Sequence, residues 1–251
     1  MKKRLVNYSI STSILFVVIL TLSSCSTDTL QKTTVSPFYD SIEHKLWKHR
    51  VNCISTADSI ARNFPGIEID IYYVDSLNAF MATHGEPCAG ESLQALITSI
   101  ADYKSKYYWL DFKNSEDSLT VVSAIPLLKE QLGSLSILDN CIVESKNPDC
   151  IDSLVSNGLF SSYWVPHHYD FTPWYSDAQL KPLISDFLLH HYPTALSADY
   201  TMAPFLAGNF PNENIHIWTN GLVSEKDKAL IQEIKEYPNI KVILIDYDLP
   251  F

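Results

Sequence analysis

Seven ionisable residues between positions 49 and 113 fall in four short groups: His49-Arg50, Glu68-x-Asp70, His84 and Asp111-x-Lys113. Three carboxylates make a ligand set for one hard divalent cation. Two imidazoles can exchange protons with a reacting group near neutral pH. A guanidinium and an ammonium supply fixed positive charge for a phosphate. A divalent cation with Arg50 and Lys113 carries +4 against −3 from Glu68, Asp70 and Asp111, so an occupying phosphodiester of charge −1 leaves the site neutral. Taken singly, each residue also has a structural reading, as a hydrogen-bonded histidine, a rim charge or an Asp–Lys ion pair. The functional reading rests on their occurring together.

The elements that must position these groups read as strands. In Gly66-Ile67-Glu68-Ile69-Asp70-Ile71 apolar and acidic residues alternate, so Ile67, Ile69 and Ile71 share one face and Glu68 and Asp70 the other, roughly 7 Å apart. The structural alternative is a solvated edge strand with its acids in water. Trp109, Asp111 and Lys113 likewise share a face opposite Leu110 and Phe112. Apolar strand-like runs occur at 46–51, 67–73, 107–113, 137–144, 160–165, 195–200, 215–219 and 242–247, with a short return strand at 80–83. Between them lie helical spacings: Leu93, Leu96, Ile97 and Ile100; 177–191 with Pro182 in its first turns; and Leu230, Ile231 and Ile234 behind a Ser224 cap. Pro126 predicts a kink or a late helix start after the third strand. Eight β/α repeats predict a (β/α)8 barrel lacking its last helix, with residues 37–44 covering its floor and a doubly wound open sheet as the alternative. Barrel sites sit at the C-terminal strand ends, where these ionisable groups fall.

The first 24 residues read as an export signal: Lys2, Lys3 and Arg4, an apolar run from Ile14 to Leu22, then Leu22-Ser23-Ser24-Cys25 in the pattern of a bacterial lipobox. This predicts a lipoprotein anchored through Cys25 to the cell envelope, in the outer membrane or periplasm, with residues 25–37 as tether and 38–251 as one barrel domain. Without residues 1–24 the chain has 15 Lys and Arg against 29 Asp and Glu, a formal charge of −14, which argues against a nucleic-acid partner. Four further cysteines, Cys53, Cys88, Cys141 and Cys150, suit a compartment where disulfides persist. Cys53 lies four residues past His49 and Cys88 four past His84, which favours pairing Cys53 with Cys88; free thiols are the alternative. No C-x-x-C pair points to a thiolate metal site.

The order His49-Arg50, Gly66-Ile67-Glu68-x-Asp70, His84-Gly85 and Asp111-Phe112-Lys113, followed by Ile217-Trp218-Thr219-Asn220 and Ile243-Leu244-Ile245-Asp246-Tyr247-Asp248, resembles the glycerophosphodiester phosphodiesterase branch of the phospholipase-C-like barrels. The resemblance implies that Glu68, Asp70 and Asp111 hold Mg²⁺ or Ca²⁺ and that His49 and His84 act as acid and base. It further implies that Arg50 and Lys113 meet the phosphate and that Trp218 lines the mouth. The implied reaction is cleavage of a glycerophosphodiester, lysophospholipid or sphingolipid headgroup, by hydrolysis or by cyclisation. His49-Arg50 is followed by Val51 where the family has Gly, its nearby Glu-Asn-Thr element has no Glu here, and its His-Asp is His84-Gly85. Asp111 stands where the branch usually has Glu. His84-Gly85-Glu86-Pro87-Cys88 and Asp111-x-Lys113 look more like the sphingomyelinase D relatives. Val51-Asn52 and Leu110-Asp111-Phe112-Lys113 are similar to the menorin family.

Elsewhere, His167-His168 reads as a polar loop pair, and His190-His191 as partners of a helix C-terminus. Tyr163, Trp164, Trp174 and Tyr175 read either as a wall around a lipid or sugar headgroup or as core and rim. Two competing functions are a barrel that has lost turnover and acts as a lipid-anchored binding module, and a sugar-processing barrel using Glu68 and Asp111 as its carboxylate pair. The latter would be supported by their carboxyls standing about 5 to 10 Å apart with no cation and neither Arg50 nor Lys113 close by.

Overall fold

A computed structural model describes residues 45–84, 90–166, 176–221 and 224–248 of the 251-residue chain. Strand and helix alternate from β1 (Leu46–Lys48) through α1 (Ile54–Ala61), β2 (Gly66–Val74), β3 (Ala79–Ala82), β4 (Glu91–Ser92), α2 (Leu93–Thr98) and β5 (Tyr107–Phe112). The alternation continues through α3 (Ser118–Ser134), β6 (Cys141–Ser145), α4 (Pro148–Ser156), β7 (Phe160–Trp164), α5 (Asp177–His190) and β8 (Ala195–Asp199). It ends with α6 (Ala203–Asn209), β9 (Asn214–Trp218), α7 (Glu225–Lys235) and β10 (Ile240–Ile245).

Every strand except β3 and β4 pairs in parallel, and β1 pairs with both β10 and β2, which closes eight strands into a barrel. β2 pairs with β5 over Gly66–Ile71 and with antiparallel β3 over Ile71–Val74, so its second half rises above the ring and carries the β3–β4 hairpin. The predicted barrel is thus present, and no helix follows β10 among the described residues. β2 is no edge strand: Glu68 and Asp70 are buried, because the acidic face turns into the barrel rather than toward water.

Strand parity separates two cores. Ile67, Ile69, Ile71, Leu110, Phe112, Val143, Leu196, Ile217 and Ile243 belong to a large apolar cluster with helix residues such as Leu96, Leu128 and Ile231. Trp47, Trp109, Ile142, Val242 and Leu244 form a second, smaller cluster. Burying each such side chain contributes about 1.5–3 kcal/mol, which is why the alternation fixes the register. Gly66 is required at the start of β2, since a Cβ there would lie 2.3 Å from the ring of the fully buried Trp47.

Several expectations are adjusted. α3 begins at Ser118 and runs through Pro126, so no late helix start occurs. The proline's missing hydrogen bond is outweighed by burial of Val121, Ala124, Ile125, Leu128 and Leu132 along the same helix. Ile137 leads into a 3₁₀ turn at Leu138–Asn140, and β6 starts only at Cys141. Ser224 caps α7 through a reciprocal bond pair with Asp227, as its position predicts. Lys45 Nζ donates to the carbonyls of Lys235 and Tyr237 at 2.7 and 2.9 Å, fastening the chain entry to the end of α7. Residues 1–44, with Cys25, the tether and the proposed floor cover, lie outside the described residues, as do Cys88, His167-His168, Trp174 and Tyr175.

Candidate active site

In-register pairing of β2, β5 and β6 sets Asp70 beside Asp111 and Asp111 beside Glu144. Asp111 and Glu144 sit at the C-terminal ends of their strands, and Asp70 near the end of the part of β2 that pairs with β5. Glu68, Asp70 and Asp111 each offer an oxygen, and these oxygens lie within 4.8 Å of one another. Asn52 Nδ2 donates to Asp70 Oδ2 at 2.6 Å while the Asp70 backbone N–H donates to Asn52 Oδ1 at 2.9 Å, so this carboxylate is clamped. Glu68 Oε2 accepts the Arg50 backbone N–H at 2.7 Å, and Arg50 adopts a left-handed φ of 60° to present it. Glu68 Oε1 is buried without a donor.

Lys113 Nζ lies 2.7 Å from Asp70 Oδ1 and also pairs with Asp111. Burial opposes its charge, but the Asp111 and Asp70 carboxylates outweigh that and hold the ammonium well above its ordinary range. Burial, with the charges of Asp70 and Asp111, pushes Glu68 well above the usual carboxylate range. Burial likewise raises Asp111, against the pull of Lys113. Glu144 is pushed up to about 8, first by burial and then by the charge of Asp111. Trp109 Nε1 donates to its Oε2 at 3.2 Å, and Ser197 Oγ donates to its Oε1. Three buried acids and the half-buried Asp111 thus face one half-buried ammonium, and the buried Glu68 Oε1 has no donor among the described residues. Such an all-oxygen, net-negative set fits a hard divalent cation, with Glu68, Asp70 and Asp111 as its ligands.

His49 follows β1, and its backbone N–H continues the ladder to Ile245 at 3.0 Å. Its Nδ1 lies 3.1 Å from Asp246 Oδ1, and its Nε2 lies 3.9 Å from Glu68 Oε2. Asp246 Oδ2 accepts from Thr219 Oγ1 at 3.1 Å and from the Gly221 N–H at 2.8 Å. Burial works against the Asp246 charge, but its bond to His49 and these donors hold the carboxyl below the usual range. His84 follows β3, tied to the ligand strand by the Thr83 N–H, which donates to the Asp70 carbonyl at 3.0 Å. One pocket of about 180 Å³ is lined by His49, Arg50, Glu68, His84, Asp111, Lys113 and Trp218. Of the predicted site set, only Asp70 is absent from that lining, being clamped behind it by Asn52 and Lys113. The contact of Lys113 with Asp70 and Asp111 counts against the sugar-processing reading, which the absence of that contact would have supported.

No protein-family model matches the chain, and no curated protein does. Solved structures do match. A glycerophosphodiester phosphodiesterase from Parabacteroides distasonis superposes with a TM-score of 0.57 at 14% identity, over 80% of this chain and 92% of that one. The phosphodiesterase OLEI02445 of Oleispira antarctica, solved with sn-glycerol-3-phosphate, gives 0.61 at 11%, over 84% and 96%. A third, from Thermotoga maritima, gives 0.58 at 14%, over 82% and 96%. The chain has the glycerophosphodiester phosphodiesterase fold.

Within this barrel the structure gives places to residues to which the sequence pattern assigned no role. Asp246 reaches His49 only because β10 closes the ring against β1. Asn52 reaches Asp70 because the loop after β1 folds back onto β2, where the Val51 N–H donates to the Glu68 carbonyl at 2.8 Å. Glu144 was hidden in an apolar strand, where period-two alternation marks it as inward-facing. Trp164 lines the pocket and meets Trp218 edge-on at 5.7 Å, whereas Tyr163 is core, stacked on Phe187 at 3.7 Å. His190 and His191 close α5 as expected, bonding the Asp186 carbonyl and the Asp152 carboxylate at 2.9 Å. Cys53 is disulfide-bonded while Cys141 and Cys150 are free, which leaves its partner outside the described residues, as pairing with Cys88 requires.

Proposed function

We propose that this protein cleaves phosphodiesters of glycerol- or lipid-headgroup type, with one Mg²⁺ or Ca²⁺ at Glu68, Asp70 and Asp111 and with His49 and His84 as base and acid. The observation that carries the reading is the single pocket shared by both imidazoles, the Arg50 and Lys113 side chains and the carboxylates of Glu68 and Asp111, with Asp70 held against Lys113 behind them. The cation, when bound, supplies charge neutralisation for a non-bridging phosphate oxygen. Arg50 at the exposed rim binds and orients the phosphate. Lys113 holds Asp70 and Asp111 in position and lends positive charge to the equatorial oxygens.

His49 is the better base. Its Nδ1 proton is held by Asp246, which leaves Nε2 free to take the proton from an attacking hydroxyl, and the carboxylate then stabilises the imidazolium formed. As the new P–O bond forms, the opposite P–O bond breaks and His84 delivers its proton to the departing alcohol. The attacking hydroxyl is that of water, giving a monoester, or the neighbouring hydroxyl of the substrate itself, giving a cyclic phosphate. The sn-glycerol-3-phosphate bound in the Oleispira structure supports a glycerol phosphate ester as first substrate to test. The lipobox reading adds an envelope location.

The test is to assay residues 38–251 against glycerophosphodiesters, lysophospholipids and sphingomyelin, with added Mg²⁺ or Ca²⁺ and after chelation. A bell-shaped pH profile, loss of turnover in chelator and its return on adding metal are expected. Full activity in His49→Ala or His84→Ala overturns the assigned roles, and metal-dependent binding without turnover favours the binding-module alternative.

A further inference from the structure

The barrel ring runs β1, β2, β5, β6, β7, β8, β9, β10, so β2 and β5, which carry the acids, stand across the mouth from β8 and β9. The two walls of the pocket differ in kind. His49, Arg50, Glu68, His84, Asp111, Lys113 and Glu144 come from β1, β2, β3, β5, β6 and the residues that directly follow them. The far wall offers Trp164 from the end of β7 and Trp218 and Asn220 from the end of β9. The carboxylate that ends β8 does not break this neutrality, because Asp199 is buried and turned to Thr201, accepting its N–H at 2.9 Å and its hydroxyl at 2.6 Å.

Trp164 Nε1 is buried and has no acceptor among the described residues. An indole nitrogen is a donor only, and a buried donor left unpaired costs about 1–3 kcal/mol, so native structures rarely leave one without a purpose. Two residues that line this pocket carry such orphans among the described residues, and they are chemically opposite: the acceptor Glu68 Oε1 on the charged wall and the donor Trp164 Nε1 on the neutral one. A cation answers the first. An oxygen of the bound molecule answers the second.

We infer that Trp164 is a specificity-determining residue, whose indole N–H receives an oxygen of the uncharged, hydroxyl-bearing alcohol portion of the substrate while the phosphate sits at the opposite wall. This rests on the phosphodiester reading above and adds to it which side of the diester is read, and by which atom. A quaternary ammonium headgroup has no acceptor for this N–H and would use only the faces of the two indoles. The substitution Trp164→Phe separates the cases, since it keeps a ring face and removes the donor.

The experiment is calorimetric binding of glycerol phosphate, n-propyl phosphate and phosphocholine to the metal-loaded protein and to Trp164→Phe. Glycerol phosphate and propyl phosphate differ only in hydroxyls. One neutral hydrogen bond of about 1 kcal/mol predicts a preference for glycerol phosphate of roughly fivefold in the native protein, falling below twofold in Trp164→Phe. Loss confined to glycerol phosphate supports the inference, because general damage would weaken propyl phosphate equally. A preference that survives the substitution, or phosphocholine binding more tightly than glycerol phosphate to the native protein, overturns it. If none of the three binds, the phosphodiesterase reading itself falls, a result distinct from binding without discrimination.

Discussion

Replacing Asp246 with Asn tests the link between ring closure and proton transfer. The carboxylate serves three donors at once: His49 Nδ1 at 3.1 Å through one oxygen, and Thr219 Oγ1 at 3.1 Å and the Gly221 N–H at 2.8 Å through the other. An amide has a single oxygen. If that oxygen stays on His49, the new NH₂ meets the Gly221 N–H, donor against donor. If it turns to Gly221, the NH₂ faces His49 Nδ1, which must then accept, and the ring proton moves to Nε2, the nitrogen needed as base. Either way a charge-assisted hydrogen bond of about 1.5–3 kcal/mol is lost, so kcat falls roughly 10- to 150-fold. Steady-state kinetics with a glycerophosphodiester measure this, and calorimetry of cation binding is the control, since Asp246 is not one of the acidic trio. A kcat within twofold of native, with cation affinity intact, refutes the positioning role.

Glu68→Gln replaces one carboxylate of the proposed cation site with a buried amide, so Ca²⁺ or Mg²⁺ affinity should fall at least tenfold by calorimetry, with activity restored only at high metal concentration; unchanged affinity rejects the site. Gly66→Ala forces a Cβ to 2.3 Å from the Trp47 ring and should cost about 1–3 kcal/mol in urea unfolding, and a neutral effect would mean the strand relaxes freely. Burial pushes His216, bonded to Ser162 Oγ at 2.9 Å, down to about 3. Its folded value lies below the unfolded one, so its contribution is complete above about pH 6.5 and is lost as pH falls toward 3, by up to about 1.4 kcal/mol per pH unit. His216→Asn should flatten that stretch of the stability–pH curve, and an unchanged slope assigns the acid sensitivity elsewhere.

Alternation alone made β2 and β5 legible, since Glu68, Asp70, Asp111 and Lys113 each fall on a face opposite a run of buried Ile, Leu or Phe. The barrel followed from eight such segments with helical spacing between them. What resisted reading depends on closure and register. Lys48 pairs with Ile245, and only that pairing sets His49 against Asp246, which lies 197 residues away along the chain. Glu144 looked unremarkable because its partners, Trp109 and Ser197, come from other strands. Pro126 left a late helix start open because local backbone cost was weighed without the tertiary burial of its helix, which starts at Ser118. Tyr163 and Trp164 are adjacent and aromatic, yet strand parity sends one to the helix layer and the other to the pocket.

The central claim is that the trio, the two imidazoles and the two cationic side chains cleave a phosphodiester. ³¹P NMR of a glycerophosphodiester incubated with metal-loaded protein follows that bond directly. The account predicts conversion of the diester signal to a monoester or cyclic phosphate, at least a hundredfold slower in His49→Ala; an unchanged diester signal, or equal rates in the two proteins, would contradict it.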